Sequence, residues 1–386
     1  MNGSFRVGSL FGIPFYVNTS WFIVLALVTL NYGGQLGATF PELGGTAATL
    51  LGLVSALLLF SSVLAHELGH SFVAMSQGIE VKSISLFLFG GLASFDRESK
   101  TPSQAFWVAI AGPLVSLGIF LGLRLILNSA STLSPVTAIL SLLASINLVL
   151  ALFNLIPGLP LDGGNVLKAI VWKITGDPYK GVVFAGRVGQ VMGWLAIGLG
   201  LIPILLGGVP QLWTILIGWF LLQNAGRAAQ SAKIERTLSN RTAADVVSPN
   251  SPIVRQDLTL REFANQHVIG NSREWKRFLV VDGDKKLVGA IAVDDTRAVA
   301  TSDWVKTTVA ELTKPLSLET IAANTSLLEA LQTMERLAQS ELPVADENGA
   351  IVGLFEKNTA LEILREEREP DRKREPEPEP TLTKAE

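Results

Sequence analysis

The sequence predicts an α-helical polytopic membrane protein with a cytosolic α/β unit towards its C-terminal end. Three observations predict it. Of 386 residues 48% are hydrophobic, mean hydropathy is +0.40, and the long apolar runs fall before residue 226. Several of these runs approach the roughly 20 apolar residues that cross the hydrocarbon core of a bilayer. After Gly226 the composition turns polar, and an apolar strand–turn–strand pattern occurs twice, with Gly289 and Gly353 in matching places 64 residues apart. The net charge of −3 leaves no footprint for nucleic acid. The lack of cysteine excludes disulfides, a thiolate metal site and a cysteine nucleophile.

Taken in order, about six spans are expected on length and hydropathy. The first runs from Phe15 to Leu30, with Trp21 and Tyr32 as interfacial rings, and reads as a retained span rather than a cleaved leader. The second is Ala47 to Ala74 and the third Phe106 to Leu127. The fourth starts near Ala138 and breaks at Asn154-Leu155-Ile156-Pro157-Gly158-Leu159-Pro160, before a shorter helix from Val166 to Ile174. The fifth is Val188 to Leu206 and the sixth Leu212 to Leu222. Arg6, Lys82, Arg97, Lys100, Lys173, Lys180, Arg187 and Arg227 all fall on one side of this scheme. Basic loops mark the cytoplasmic face, so both termini are expected there.

Between the second and third spans, Ile79 to Phe89 is rich in β-branched and aromatic residues. Gly90-Gly91 and a short apolar run to Phe95 follow. This predicts a small membrane-associated β-hairpin, either a cytoplasmic connection or a working element of a site. Four segments result: a membrane domain over 1–226, a linker helix over 227–242, a tandem module over 243–365 (about 243–305 and 306–365), and a tail over 366–386. Each half of the module is expected to run helix–strand–strand–helix. The tail is charged and proline-rich and cannot bury enough apolar surface to fold.

The second span carries Ala65-His66-Glu67-Leu68-Gly69-His70, and nothing from Ala47 to Ala65 is charged. Residues four apart share a helix face, so His66 and His70 can address one ion while Glu67 reaches a water beside it. This is the zinc-hydrolase pattern. An ionisable group at bilayer depth costs about 2.5–3.5 kcal/mol to insert, which argues against three of them as packing. A catalytic zinc takes three protein ligands and keeps one position open. Among the acidic residues of the membrane region, Asp162 sits at the break between two apolar helical pieces. It reads as the third ligand, as an N-cap of the helix that follows, or as both. The third histidine, His267, lies in the soluble part and reads as a surface or core residue.

The HELGH motif in a span, with Asn154-x-x-Pro157-x-x-Pro160-Leu161-Asp162-Gly163-Gly164 further on and Ala111-Gly112-Pro113 between, resembles the site-2 protease family of intramembrane zinc metalloproteases. The tandem module resembles the paired CBS domains found on one bacterial branch of it. The resemblance implies one Zn2+ held by His66, His70 and Asp162, with Glu67 as the catalytic glutamate. It implies that Asn154 holds the substrate backbone or the oxyanion. It also implies that Gly90, Gly91 and Leu92 lie in a strand that takes up substrate, which suits a helical substrate that must be unwound before hydrolysis. Single-span membrane proteins, anti-sigma-factor-like ones included, are the implied substrates, and a bacterial cell membrane is the implied location. The CBS-type pair implies an adenine nucleotide, with Asp295 as the ribose-binding acid, or a structural or homodimerising role. It departs from the nucleotide-binding pattern in its second half, where Glu356 and Thr359 stand at the matching positions. Two other readings compete. A CBS-regulated transporter would show matched halves, and a silent membrane scaffold would have lost a ligand or the glutamate. The sequence shows neither.

Overall fold

A computed structural model describes residues 4–87, 90–129, 132–247, 250–269, 275–316 and 319–360. The expected disordered tail lies outside these residues. The chain separates into two compact units, Met1–Lys233 and Ile234–Glu386.

The first unit opens on a hairpin where the sequence predicts the start of a span. Strands β1 (Ser4–Leu10) and β2 (Ile13–Asn18) pair antiparallel. The two residues between them, Phe11 and Gly12, have φ of 53° and 82°. Positive φ at both positions is what a two-residue turn matched to strand twist requires. The first helix, α1 (Thr19–Thr39), therefore begins four residues later than Phe15. The Asn18 side chain accepts a hydrogen bond from the Ser20 N–H at its start. Helix α2 (Gly44–Ser76) follows, then the predicted hairpin as β3 (Val81–Phe87) and β4 (Gly90–Phe95). The hairpin is half of a larger element. Strand β2 pairs parallel with β3, giving a four-stranded sheet in the order β1-β2-β3-β4 with β4 at its edge.

Helices α3 (Pro102–Asn128), α4 (Pro135–Asn154), α5 (Asp162–Thr175), α6 (Pro178–Leu205) and the greater part of α7 (Leu212–Ser239) complete the unit. Among the described residues, five helices are long and apolar enough to cross a membrane: α1, α2, α3, α4 and α6. The expected sixth span, Leu212 to Leu222, is the start of α7 and is not among the five. Its apolar run is short, and Arg227, Lys233 and Arg236 follow in the same helix. The expected linker helix is the continuation of α7. Large apolar side chains such as Leu27, Leu125, Val149 and Leu205 are exposed on these helices, as a lipid-facing surface requires. The sheet packs on the motif-bearing end of α2 through Ile13, Ile84, Ile79 and Ala74.

The second unit contains two three-stranded sheets. One holds β5 (Ile253–Arg255), β6 (Arg277–Val281) and β7 (Leu287–Ala292), and helix α8 (Leu260–Phe263) follows β5 in sequence. After α9 (Val309–Leu312), the other holds β8 (Ile321–Ala322), β9 (Glu341–Ala345) and β10 (Ile351–Glu356), with helix α10 (Leu327–Leu337). The expected strand pairs are thus joined by one short parallel strand each, β5 on β6 and β8 on β9. The repeat extends to the turns. Asp282 Oδ1 accepts from the Asp284 and Lys286 N–H groups, and Asp346 Oδ1 from those of Asn348 and Ala350.

Candidate metal centre

His66, Glu67 and His70 are all buried on α2. Each imidazole is fixed through its Nδ1. That of His70 donates to the Val108 carbonyl at 2.7 Å, and that of His66 lies 2.9 Å from Ser116 Oγ. Both partners belong to α3. With the Nδ1 atoms engaged, both Nε2 atoms face inward, 3.3 Å apart. Asp162 meets them from the first turn of α5, its Oδ2 3.0 Å from His66 Nε2 and 3.3 Å from His70 Nε2.

Local sequence explains how the carboxylate arrives. The chain leaves α4 at Asn154 and turns back over Leu155–Leu161. The two glycines after Asp162 press directly on that turn: a Cβ at Gly163 would strike the Leu155 and Ile156 carbonyls, and one at Gly164 the Gly158–Leu159 peptide. Asp162 carries no side-chain cap bond of its own helix, whose N-cap is Leu161. Of the two roles considered, the structure shows the carboxylate turned to the histidines. Asn154 Nδ2 lies 3.5 Å from His66 Nε2.

Glu67 points to the sheet. Its carboxylate accepts a hydrogen bond from the Ala93 N–H of β4, and β4 can come this close because residue 91 is glycine. A Cβ there would stand against Glu67 Cγ and 2.8 Å from its Cδ. One cavity of about 1080 Å³ takes in His66, Glu67, His70, Asn154 and Asp162 together with Gly90, Gly91 and Leu92. The residues predicted for this site are therefore brought together. Asp295 lies apart, in the second unit. Its Oδ2 accepts from the Ala292 N–H at 3.0 Å, and its Oδ1 pairs with Lys314 Nζ. His267 packs against Phe263 and Phe278 in the same unit.

The donor set fits zinc. Two imidazole nitrogens and one carboxylate oxygen have ligand atoms all within 4.8 Å of one another, and the histidines carry the outer hydrogen bonds that fix ligating tautomers. Gly112 on α3 keeps the place open, since a Cβ on it would fall against His70 Nε2 and 2.7 Å from His66 Nε2. Sequence reasoning missed Ser116, Val108 and Ala93 as parts of the site and gave Gly112 no role. Ser116 follows Gly112 by one helical turn, so the Ala111-Gly112-Pro113 motif points to that face of α3.

Comparison with known proteins gives the same picture. Residues 54–131 and 120–196 match peptidase family M50, and residues 309–366 match the CBS domain. The protein named "Putative zinc metalloprotease sll0528" of Synechocystis sp. is 56% identical over 366 residues, covering 94% of this chain and 96% of that one. The protein named "Putative zinc metalloprotease Rip3" of Mycobacterium tuberculosis is 32% identical over 388 residues, covering 99% and 97%. Among solved structures, the site-2 protease from Methanocaldococcus jannaschii is 29% identical. It covers 58% of this chain and 95% of that one, with a TM-score of 0.43.

Proposed function

The chain belongs to peptidase family M50, and from that premise we propose that it hydrolyses peptide bonds in or near the transmembrane segments of other membrane proteins. The observation that carries this reading is the meeting of Asp162 from α5 with His66 and His70 beside a buried Glu67, the last three on a helix long enough to span a bilayer. His66, His70 and Asp162 would hold the zinc. When bound, zinc supplies Lewis acidity, which polarises a carbonyl and makes water a nucleophile near neutral pH.

The chain's own residues do the rest. Glu67 Oε accepts the proton of the attacking water and returns it to the leaving amine nitrogen. The Ala93 N–H orients that carboxylate and ties the general base to the strand at the cavity wall. Asn154 Nδ2, beside His66, donates to the carbonyl oxygen as negative charge develops on it. A helical substrate must be unwound before its scissile bond is exposed. The free edge of β4 at Gly90, Gly91 and Leu92 satisfies the released backbone groups by strand addition.

The finer parts of the proposal rest on sequence. Counting the apolar start of α7 as a crossing, the basic loops support cytoplasmic termini, and the family resemblance supports a bacterial cell membrane. Residues 1–226 form the protease, 227–242 its linker and 243–365 a paired CBS module that regulates it or joins two copies. An adenine nucleotide would have to displace Lys314 to use Asp295, so isothermal titration of the full chain with ATP and AMP tests that point. Absence of heat removes the nucleotide.

The test of the main reading compares wild type with Glu67→Gln on a single-span test substrate in liposomes, with zinc measured in both. Cleavage by wild type alone, at equal zinc content of about one per chain, is the expected result. Equal cleavage by both proteins would remove Glu67 from the chemistry, and zinc-free wild type would remove the metal site.

A further inference from the structure

We propose that Lys168 reads a carboxylate on the substrate, so that the enzyme favours segments with an acidic residue about three positions from the scissile bond. This rests on the protease reading above. Lys168 lies on α5 six residues beyond Asp162, and both line the same cavity. Six residues advance about 9 Å along a helix, a distance that an extended peptide covers in about three residues. A substrate strand that runs through this cavity along α5, with its scissile carbonyl at His66, His70 and Asp162, brings a side chain near Lys168.

The charges around the cavity single this lysine out. Three consecutive charged residues, Asp96, Arg97 and Glu98, follow β4 at the cavity wall. Asp96 is paired with Lys82 at 2.9 Å, and the Arg97 guanidinium donates to the Gly78 carbonyl. Lys168 Nζ, whose side chain is only 17% exposed, donates to Glu98 Oε2 at 3.1 Å, and that glutamate is 81% exposed. The lysine stem is thus packed into the cavity wall, while the ion pair at its tip is exposed and its partner reaches in from solvent. An exposed carboxylate holds such a partner weakly and is readily exchanged. A substrate carboxylate already anchored by strand pairing competes at the high effective concentration of a tethered group and takes the place of Glu98. Glu98 is a stand-in that keeps Lys168 neutralised between turnovers.

The experiment uses the full-length, zinc-loaded chain in liposomes and a single-span substrate. Glu, Gln or Lys is placed in turn at positions two to five on either side of the cleaved bond. Wild type is expected to show about five- to tenfold higher kcat/KM for Glu than for Gln at one position, and the lowest value for Lys there. Lys168→Glu should reverse that order, with Lys cut best. Lys168→Met should bring the three substrates within about twofold of each other. The same order in wild type and Lys168→Glu, with the Gln substrate cut by both, overturns the inference and leaves the protease reading intact. Wild type that cuts none of the substrates overturns that reading instead, and the inference with it. Should Lys168→Glu not fold, Lys168→Met decides: a flattened preference supports the role of Lys168, and an unchanged one overturns it.

Discussion

Gly112 sets the limit on what can stand beside the two imidazoles. A single methyl group there would occupy space against both Nε2 atoms, the atoms that would face the ion. Gly112→Ala should therefore abolish zinc retention and cleavage while α3 stays helical, because alanine favours a helix more than glycine does. Metal analysis with circular dichroism checks this, and a variant that keeps a full complement of zinc would refute the role of Gly112. Ser116→Ala makes a graded version of the same test. It removes the partner of His66 Nδ1 at 2.9 Å without adding bulk, and losses of a ligand's outer hydrogen bond cost about 10- to 100-fold in metal affinity or activity. Zinc competition with a chelator measures that loss. At this scale the sequence was highly legible for the groups that would touch the metal. His66 and His70 are one turn apart, and Asp162 stands alone at a break. It was silent on Ser116 and Val108, because one hydroxyl and one carbonyl on α3 carry no pattern until α3 is seen against α2.

Strand β4 brings two features of the site together in one element. Its backbone N–H at Ala93 holds Glu67 from one side, while its unpaired edge borders the cavity. Gly91 is where the strand and the glutamate touch, with the position of a Cβ 2.9 Å from Glu67 Oε1. Gly91→Val should displace the carboxylate and lower kcat by more than about tenfold, as expected when a general base is misplaced. Zinc content should be unchanged, because the three residues that would hold it lie on α2 and α5. Activity and zinc assayed together separate this from a general folding defect, and a variant that lost both equally would count against the arrangement. Long apolar runs were readable: α2, α3, α4 and α5 lie near their expected positions, while α6 ends as expected but starts at Pro178, ten residues before Val188. The hairpin β1–β2 was not. Its turn is Phe11-Gly12 rather than the asparagine–glycine pair that marks such turns, and its second strand is apolar enough to merge with the helix behind it. The pairing of β2 with β3 joins residues 15 and 84, a contact that no local pattern encodes. Short strands such as the two-residue β8 fall below any periodic signal.

At the scale of the whole molecule, the membrane unit is joined to a second unit that has apolar cores of its own and in which charged caps add to stability. In the second unit, several carboxylates close the ends of short helical turns. Asp295 accepts from the Ala292 N–H, Asp245 from the Thr242 N–H and Glu262 from the Thr259 N–H. Lys314 beside Asp295 holds its carboxyl below the usual carboxylate range, and the backbone and hydroxyl donors of Thr242 and Thr259 do the same for Asp245 and Glu262. Because these folded-state values lie below the unfolded ones, which are near pH 4, the charged carboxylates stabilise the fold fully above that range. The contribution is lost as pH falls through the folded values. The membrane site need not follow the same course, so bulk unfolding would mix two effects. Hydrogen exchange of the peptide covering 287–298 isolates one. Asp295→Asn keeps an acceptor for the Ala292 N–H but gives up the ion pair with Lys314. Its amides should exchange faster than wild type by a constant factor between about pH 6 and 8. That factor should shrink towards unity as the wild-type carboxyl protonates below about pH 4. A difference that stays the same across the acid range would mean that shape and hydrogen bonding, rather than the Asp295 charge, hold this turn. Lys314 would then be no obstacle to a ligand at that carboxylate.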